Sequence, residues 1–177
     1  MKEIGILGST GSIGTQALEL IDNSNNFKVS YLSAYSNVEL LVKQVKKFKP
    51  KSVCIVEESK LSTLNDALSD FDVEILSGNT GIEALSSRND IDLLLNALVG
   101  YSGMIPTLRA VKQGVDVALA NKESLVVGGA IIKKAMKETK ANLFPVDSEH
   151  SAIWQCLLGE NNNEIDKLIL TGSGGPF

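Results

Sequence analysis

Short apolar segments bounded by turn-forming residues alternate with amphipathic segments along most of the chain. The apolar segments are typical of strands that are buried on both faces of a parallel sheet. They cover residues 3–8, 28–34, 52–56, 73–76, 91–97, 115–120 and 141–146, and a last one covers 166–171. Between them, apolar residues recur at intervals of three and four, which predicts helices. The predicted helices cover residues 13–21, 37–48, 60–69, 105–114 and 129–140.

This alternation of strand and helix predicts an α/β fold, with a Rossmann-like, doubly wound and mostly parallel sheet covered by helices. Capping residues support the helix boundaries. Asn37 is a favoured N-cap for the second predicted helix. Pro106 suits the first turn of the fourth helix, and Gly114 suits its end.

Composition limits the partners more than it indicates a function. The chain has 177 residues, 44% of them hydrophobic, and a net charge of −4, which is ordinary for a globular protein. The densest basic stretch, residues 43–51, follows a helical rhythm and predicts a solvent-exposed helix face, with no nucleic-acid partner. No apolar run approaches the roughly 18 residues of a membrane span, and the first residues lack a signal-peptide pattern. We therefore expect a cytoplasmic protein with no membrane partner.

The first predicted strand leads into a glycine-rich loop, "GSTGSIG", that precedes a helix. Its glycines are Gly8, Gly11 and Gly14, so the spacing is GxxGxxG. Glycines let the backbone turn sharply and approach a pyrophosphate, and the helix that follows presents its N–H groups to the anion. Thr10 and Ser12 add hydroxyl donors. The loop is either a plain turn or a nucleotide site, and its place between strand and helix favours the nucleotide site.

The end of the second strand bears on the choice of cofactor. An NAD site carries an Asp or Glu there, which binds the ribose 2′-hydroxyl. Here the stretch contains Ser33, Tyr35, Ser36 and Asn37, and the first acid is Glu39, inside the next helix. The missing carboxylate favours NADP, because nothing repels a 2′-phosphate that Ser36, Asn37 and the helix N-terminus could hold.

Polar residues follow two later strands, at the sheet edge where ligands of parallel sheets bind. Lys122 lies in "NKES", near a predicted helix start. A cation is disfavoured at a helix N-terminus, so the position of Lys122 favours a functional role. Asp147, Glu149 and His150 lie in "DSEH". If this segment is extended, the two acids point to the same side and can share Mg²⁺ or Mn²⁺. The alternative is an acid-rich helix N-terminus without a metal.

The motifs "GSTGSIG", "NALVG", "LANKESLV", "PVDSEHSAI" and "LTGSGGPF", in this order, closely resemble the 1-deoxy-D-xylulose 5-phosphate reductoisomerase family. The resemblance extends to Phe177. The glycine loop alone is a weak signal, whereas "ANKES" together with "PVDSEHSA" is highly specific.

The resemblance implies four sets of site residues. The cofactor-binding residues would be Thr10, Gly11, Ser12, Ile13, Tyr35, Ser36, Asn37, Asn121 and Glu123. The metal ligands would be Asp147 and Glu149. The substrate-binding residues would be Lys122, Ser148, Glu149 and Ser173, and the catalytic residues Lys122, Asp147 and Glu149.

The resemblance also implies an activity. It is the NADPH-dependent rearrangement and reduction of 1-deoxy-D-xylulose 5-phosphate to 2-C-methyl-D-erythritol 4-phosphate, in non-mevalonate isoprenoid biosynthesis. The cofactors would be NADPH and a divalent metal, which would be Mn²⁺, Mg²⁺ or Co²⁺. The substrate would be a sugar phosphate. In the full-length protein the partner would be a second copy of the chain, in a homodimer.

The resemblance implies two domains and an N-terminal half of a longer enzyme. Residues 1–146 would form the NADPH-binding domain, and residues 147–177 the incomplete start of an α/β catalytic domain. We expect such a fragment to bind cofactor and to be inactive alone. Two alternatives stay open, an NADP-dependent dehydrogenase of the semialdehyde or homoserine type, and a non-catalytic nucleotide-binding module.

Overall fold

A seven-stranded sheet forms the centre of the protein, and the computed structural model describes residues 1–160 and 165–169. The strands are β1 (Lys2–Leu7), β2 (Phe27–Ala34), β3 (Ser52–Ile55), β4 (Glu74–Ser77), β5 (Leu93–Asn96), β6 (Asp116–Leu119) and β7 (Leu143–Pro145). They lie in the order β4-β3-β2-β1-β5-β6-β7, and every neighbouring pair is parallel. This architecture confirms the α/β, Rossmann-like fold class.

Seven α-helices connect and follow the strands in the described residues. They are α1 (Ser12–Asp22), α2 (Val38–Phe48), α3 (Leu61–Ala67), α4 (Gly78–Ser86), α5 (Met104–Lys112), α6 (Glu123–Thr139) and α7 (Ser148–Leu157). Short 3₁₀ turns precede α3 at Glu58–Lys60 and α5 at Gly100–Gly103. No helix of the described chain is long and apolar enough to cross a membrane.

The first seven predicted strands and all five predicted helices are present, with differences at their ends. Helix α6 begins at Glu123, six residues before the predicted start. Helix α4 was not predicted, because its first turn contains Gly78 and Gly81, which disfavour helix. The predicted strand at 166–171 is absent over 166–169, and its last two residues lie outside the described residues.

Helices cover both faces of the sheet, and successive strand residues pack against opposite layers. Ile6 and Leu95 belong to the core that packs with α1, α2 and α3. Leu7 and Leu94 belong to the core that packs with α4, α5 and α6. Because both faces are buried, the strands appear in the sequence as nearly continuous apolar runs.

The strand order reverses beside β1, which places a crevice at one edge of the sheet. From β1 the chain moves outward through β2, β3 and β4, and then returns to β5 on the other side of β1. The loops that follow β1 and β5 therefore diverge at the carboxyl ends of adjacent strands. Ligands of open parallel sheets bind at such a point.

Close packing of α1 on the loop after β1 explains one glycine of the GxxGxxG pattern. Gly14 is buried in the first turn of α1, and a Cβ there would lie 2.5 Å from the Ser9 Cα. Gly129, in the middle of α6, has no atom near its corresponding Cβ position.

We predict opposite effects of alanine at these two glycines. Gly14→Ala should destabilise the protein by about 1–3 kcal/mol, because the methyl group forces backbone to move. Gly129→Ala should stabilise it by about 0.5–1 kcal/mol through helix propensity alone. Urea denaturation of both variants measures the difference, and equal stabilities would contradict the packing.

Candidate functional site

A cavity of about 520 Å³ lies at the carboxyl ends of β1, β2 and β5. This volume is within the range of small-molecule and cofactor sites. Its walls come from the loops after these strands, from Val56 after β3 and from the start of α4. The lining residues are Gly8, Thr10, Gly11, Tyr35, Ser36, Asn37, Val56, Asn79, Ile82, Ala97, Leu98, Val99 and Ser102.

Gly8, Thr10 and Gly11 of the glycine loop line this cavity, whereas Ser12 and Ile13, at the start of α1, are not among its lining residues. Gly8 has φ +81°, and a Cβ there would lie 2.7 Å from the Ala97 carbonyl oxygen. The Gly11 N–H donates to the Gly8 carbonyl at 3.1 Å, which closes the turn. In the described structure, the N–H groups of Ser12, Ile13 and Gly14 at the start of α1 have no protein acceptor. They can bind the oxygens of a pyrophosphate.

Buried polar side chains from β2 and α2 hold the glycine loop in place. The Ser9 N–H donates to the Ser33 carbonyl at 2.8 Å, and the Gly8 N–H donates to the Ser33 hydroxyl at 3.1 Å. The Gln44 amide accepts from the Ser9 hydroxyl at 2.7 Å and donates to the Ser9 carbonyl at 2.8 Å. Gln44 was missed by the sequence analysis, although its position three residues after Leu41 places it on the buried stripe of α2.

The end of β2 offers hydroxyl and amide groups and no free carboxylate. Tyr35, Ser36 and Asn37 line the cavity, and their contacts with a cofactor stay predictions. The Asn37 side chain accepts from the Leu40 N–H at 3.0 Å, which confirms it as the N-cap of α2. Glu39 is paired with Lys43 at 2.7 Å.

Two buried asparagines hold the loop after β5. The Asn96 side chain donates to the Gly103 carbonyl and to the Thr107 hydroxyl, both at 2.8 Å. Asn121 donates to the carbonyls of Leu98 and Gly100, and accepts from the backbone and the hydroxyl of Ser124.

The side chain of Asn121 is therefore fully used within the protein. It is only 3% exposed, and its hydrogen bonds connect the start of α6 to the cavity wall at Leu98. Glu123, by contrast, is exposed at the first position of α6. The predicted cofactor contacts of both residues stay predictions.

Lys122 and Glu149 meet between the loops after β6 and β7. The Lys122 Nζ lies 3.8 Å from a Glu149 carboxylate oxygen, and both side chains are about half exposed. The Ser148 hydroxyl donates to the same carboxylate at 3.0 Å. This ion pair gives a reason for a cation at the start of α6.

Asp147 and Glu149 lie at a helix start and not on extended chain. Asp147 is the N-cap of α7, and its carboxylate accepts from the His150 N–H at 2.9 Å. The His150 Nδ1 lies 2.9 Å from both Asp147 carboxylate oxygens. The assumption of extended chain was wrong, because this cap begins a helix at Ser148. The other interpretation of this segment, an acid-rich helix N-terminus, is the correct description of the backbone.

Both carboxyl groups are ionised at neutral pH. Partial burial acts to raise the pKa of Asp147, but hydrogen bonds from the His150 backbone and ring, with the charge of Lys122, lower that pKa overall. The pKa of Glu149 is lowered by a hydrogen bond from its own backbone N–H, by the Ser148 hydroxyl and by Lys122. The negative charge of Asp147 acts in the opposite direction and raises the pKa of Glu149.

The two acids fit part of a divalent cation site. Ionised carboxylate oxygens are the ligands that Mg²⁺ and related cations prefer, with water or substrate oxygens at the other positions. Among the residues described here, no group of three or more His, Cys, Asp and Glu side chains is placed to hold a metal. Ser173, a predicted substrate-binding residue, lies outside the described residues.

The carboxylate pair and the glycine loop lie on the same edge of the sheet. The sheet order places β7 three strands away from β1, or roughly 14 Å at the usual strand spacing. A continuous set of contacts joins the two regions, since Leu98 in the cavity wall bonds to Asn121, and the next residue, Lys122, pairs with Glu149.

A doubly wound parallel sheet with a glycine-lined crevice at its switch point defines the class of Rossmann-like α/β proteins. The family model of 1-deoxy-D-xylulose 5-phosphate reductoisomerase matches residues 4–129, and the model of its C-terminal domain matches residues 143–177. The chain belongs to the 1-deoxy-D-xylulose 5-phosphate reductoisomerase family, as the motifs predicted. Family membership removes the alternative of a homoserine-type dehydrogenase.

Individual relatives agree with the family models. The chain is 52% identical to the reductoisomerase of Chloroherpeton thalassium, over 100% of this chain and 46% of that protein. A solved structure of the Zymomonas mobilis reductoisomerase in complex with NADPH is 37% identical with a TM-score of 0.84, covering 88% of this chain and 41% of that one.

A second solved reductoisomerase, in complex with NADPH, fosmidomycin and magnesium, is 36% identical. Its TM-score is also 0.84, and the match covers 88% of this chain and 39% of that one. The chain thus spans just under half the length of the curated relatives that it matches.

We predict that Asn121 is required to hold the loop after β5. Asn121→Ala should lower the free energy of unfolding by about 1–3 kcal/mol, because it leaves buried backbone groups without partners. Asn65→Ala, at an exposed position of α3, serves as the matched control and should change stability by less than about 0.5 kcal/mol. Urea denaturation compares the two, and similar losses would contradict the role of Asn121.

Proposed function

We propose that this chain supplies the NADPH-binding half and part of the metal and substrate site of a 1-deoxy-D-xylulose 5-phosphate reductoisomerase. Residues 1–146 form the cofactor-binding domain, and residues 147–177 begin the catalytic domain. One observation carries the proposal. The cavity of about 520 Å³ and the group formed by Lys122, Asp147 and Glu149 occur on the same edge of one sheet.

The cofactor would lie across the switch point between β1 and β5. The N–H groups of Ser12 and Ile13 bind its pyrophosphate, assisted by the Thr10 hydroxyl, and Gly11 lines the site beside it. Tyr35, Ser36 and Asn37 line the end of the cavity that follows β2 and surround the adenosine ribose and its 2′-phosphate. The solved relatives that contain NADPH support this assignment.

The metal and substrate would occupy the region beyond β6 and β7. Asp147 and Glu149 hold the cation through ionised carboxylates, while Lys122, Ser148 and Glu149 contact the sugar phosphate. Ser173 would complete the contacts from the chain beyond α7. When bound, the cation supplies Lewis-acid polarisation of substrate oxygens, and NADPH supplies a hydride. The protein residues orient these groups and exclude water between them.

The activity belongs to the whole protein. It is the rearrangement of 1-deoxy-D-xylulose 5-phosphate and its reduction to 2-C-methyl-D-erythritol 4-phosphate. Because the chain spans 46% of the length of its relative, we expect the 177-residue polypeptide to bind cofactor and to give little or no turnover by itself.

We also propose that the full-length protein is a cytoplasmic homodimer. An exposed apolar strip on α6 supports an association surface, with Val126 85%, Val127 66% and Ile131 53% exposed. Val127 and Ile131 are one helical turn apart and therefore share a face. Burial of such a strip against a second copy would remove apolar surface from water.

We predict that the chain binds NADPH at least about tenfold more tightly than NADH, because no carboxylate after β2 repels the 2′-phosphate. Ser36→Asp places a carboxylate there and should remove this preference by weakening NADPH binding, while NADH binding is retained. Fluorescence titration measures both affinities, with Ser36→Ala as the control for loss of the hydroxyl. Equal binding of the two dinucleotides by the unmodified chain would contradict the cofactor assignment.

We predict that Asp147 and Glu149 bind Mn²⁺ together. Asp147→Asn and Glu149→Gln should each weaken Mn²⁺ binding by at least about tenfold, since each removes one of two anionic ligands. Glu138→Gln removes an exposed charge from α6 and should have no effect. Electron paramagnetic resonance of free Mn²⁺ gives the affinities, and unchanged affinity in either site variant would rule out the shared site.

A further inference from the structure

A second groove adjoins the cofactor cavity and carries a positive charge. It has a volume of about 530 Å³ and lies between α2 and the start of α3. Ser36 lines both this groove and the cavity, so the two spaces meet at the end of β2. The charged residues that line the groove are three lysines and one glutamate, namely Lys43, Lys46, Lys60 and Glu39.

Backbone hydrogen bonds place Lys60 close to the end of β2. The Val56 N–H donates to the Ala34 carbonyl at 3.0 Å, and the Glu57 N–H donates to the Tyr35 carbonyl at 2.8 Å. The chain after β3 therefore continues beside Tyr35. The Lys60 N–H then donates to the Glu57 carbonyl at 2.9 Å, so Lys60 is one 3₁₀ turn from the residue bonded to Tyr35.

The other two lysines of the groove already have partners. Lys43 is paired with Glu39 at 2.7 Å, four residues earlier on the same helix. The Lys46 ammonium lies 5.9 Å from the centre of the Phe71 ring. In the part of the chain that the structure describes, Lys60 is exposed and has no carboxylate within ion-pair distance.

The acids near Lys60 in sequence are directed elsewhere. The Glu57 carboxylate accepts from the Ser59 hydroxyl at 3.0 Å. The Glu58 carboxylate packs against Gly78, at the start of α4. Neither residue lines the groove, and the groove keeps an excess of positive charge after the pair of Glu39 and Lys43 is counted.

We propose that Lys60 is a specificity-determining residue that binds the 2′-phosphate of NADPH. This assignment rests on the proposed cofactor. The stretch from Tyr35 to Asn37 has no cation of its own, so the charge comes from the neighbouring strand connection. A dinucleotide in the cavity that extends past Ser36 places its 2′-phosphate at the mouth of the lysine groove. There the Lys60 ammonium forms a charge-assisted hydrogen bond that NADH cannot make.

The test compares NADPH and NADH affinities of Lys60 variants of the 177-residue chain by fluorescence titration. Lys60→Gln should raise the dissociation constant for NADPH by about five- to tenfold, because a charge-assisted contact is lost, and leave that for NADH unchanged. Lys60→Arg should keep the preference. Lys133→Gln, which removes an exposed lysine from α6, is the matched control and should change neither affinity.

The outcomes separate this assignment from the proposed function. If the unmodified chain prefers NADPH and Lys60→Gln keeps the full preference, the assignment of Lys60 is wrong while the cofactor assignment stands. If the unmodified chain binds neither dinucleotide, both are wrong. An equal loss of NADPH affinity in Lys133→Gln would also overturn the assignment, because it would show a general effect of net charge.

Discussion

The absence of side chains at Gly8 and Gly14 is the constraint on which the candidate cofactor site depends. Gly8 turns with φ +81° against the Ala97 carbonyl, and Gly14 lets α1 approach the Ser9 backbone. This approach brings the start of α1 close to the loop that lines the crevice between β1 and β5. The buried hydrogen bonds between Ser9 and Gln44 then fix the loop against α2. These contacts therefore define the shape of the loop that lines the crevice.

Most of the fold was predictable because its strands are buried on both faces. Such strands appear as unbroken apolar runs, and the intervening helices have a clear apolar stripe. Helix α4 was missed because its glycines serve tertiary contacts. A Cβ on Gly81 would lie 2.7 Å from the Cys54 Sγ. Glycine is therefore needed for the close packing of α4 against β3, although it lowers helix propensity.

The candidate site was predictable in its residue types and less so in its geometry. The motifs indicated Lys122, Asp147 and Glu149, but the backbone at Ser148 is helical where extended chain was assumed. The positioning residues Gln44 and Asn96 gave little signal, because their partners are fixed only by the tertiary fold. Ser9 and Gln44, for example, are 35 residues apart.

Asp147 is both the N-cap of α7 and a proposed metal ligand, and these two roles affect the stability of the first turn of α7. Its carboxylate caps the N-terminus of α7 by accepting from the His150 N–H, and it also contacts the His150 ring. A cation that takes the same oxygens competes with these hydrogen bonds. Metal occupancy and the integrity of the first turn of α7 are then thermodynamically linked, and each alters the free energy of the other by the same amount. A cation at the proposed site would therefore also change the conformational stability of the first turn of α7.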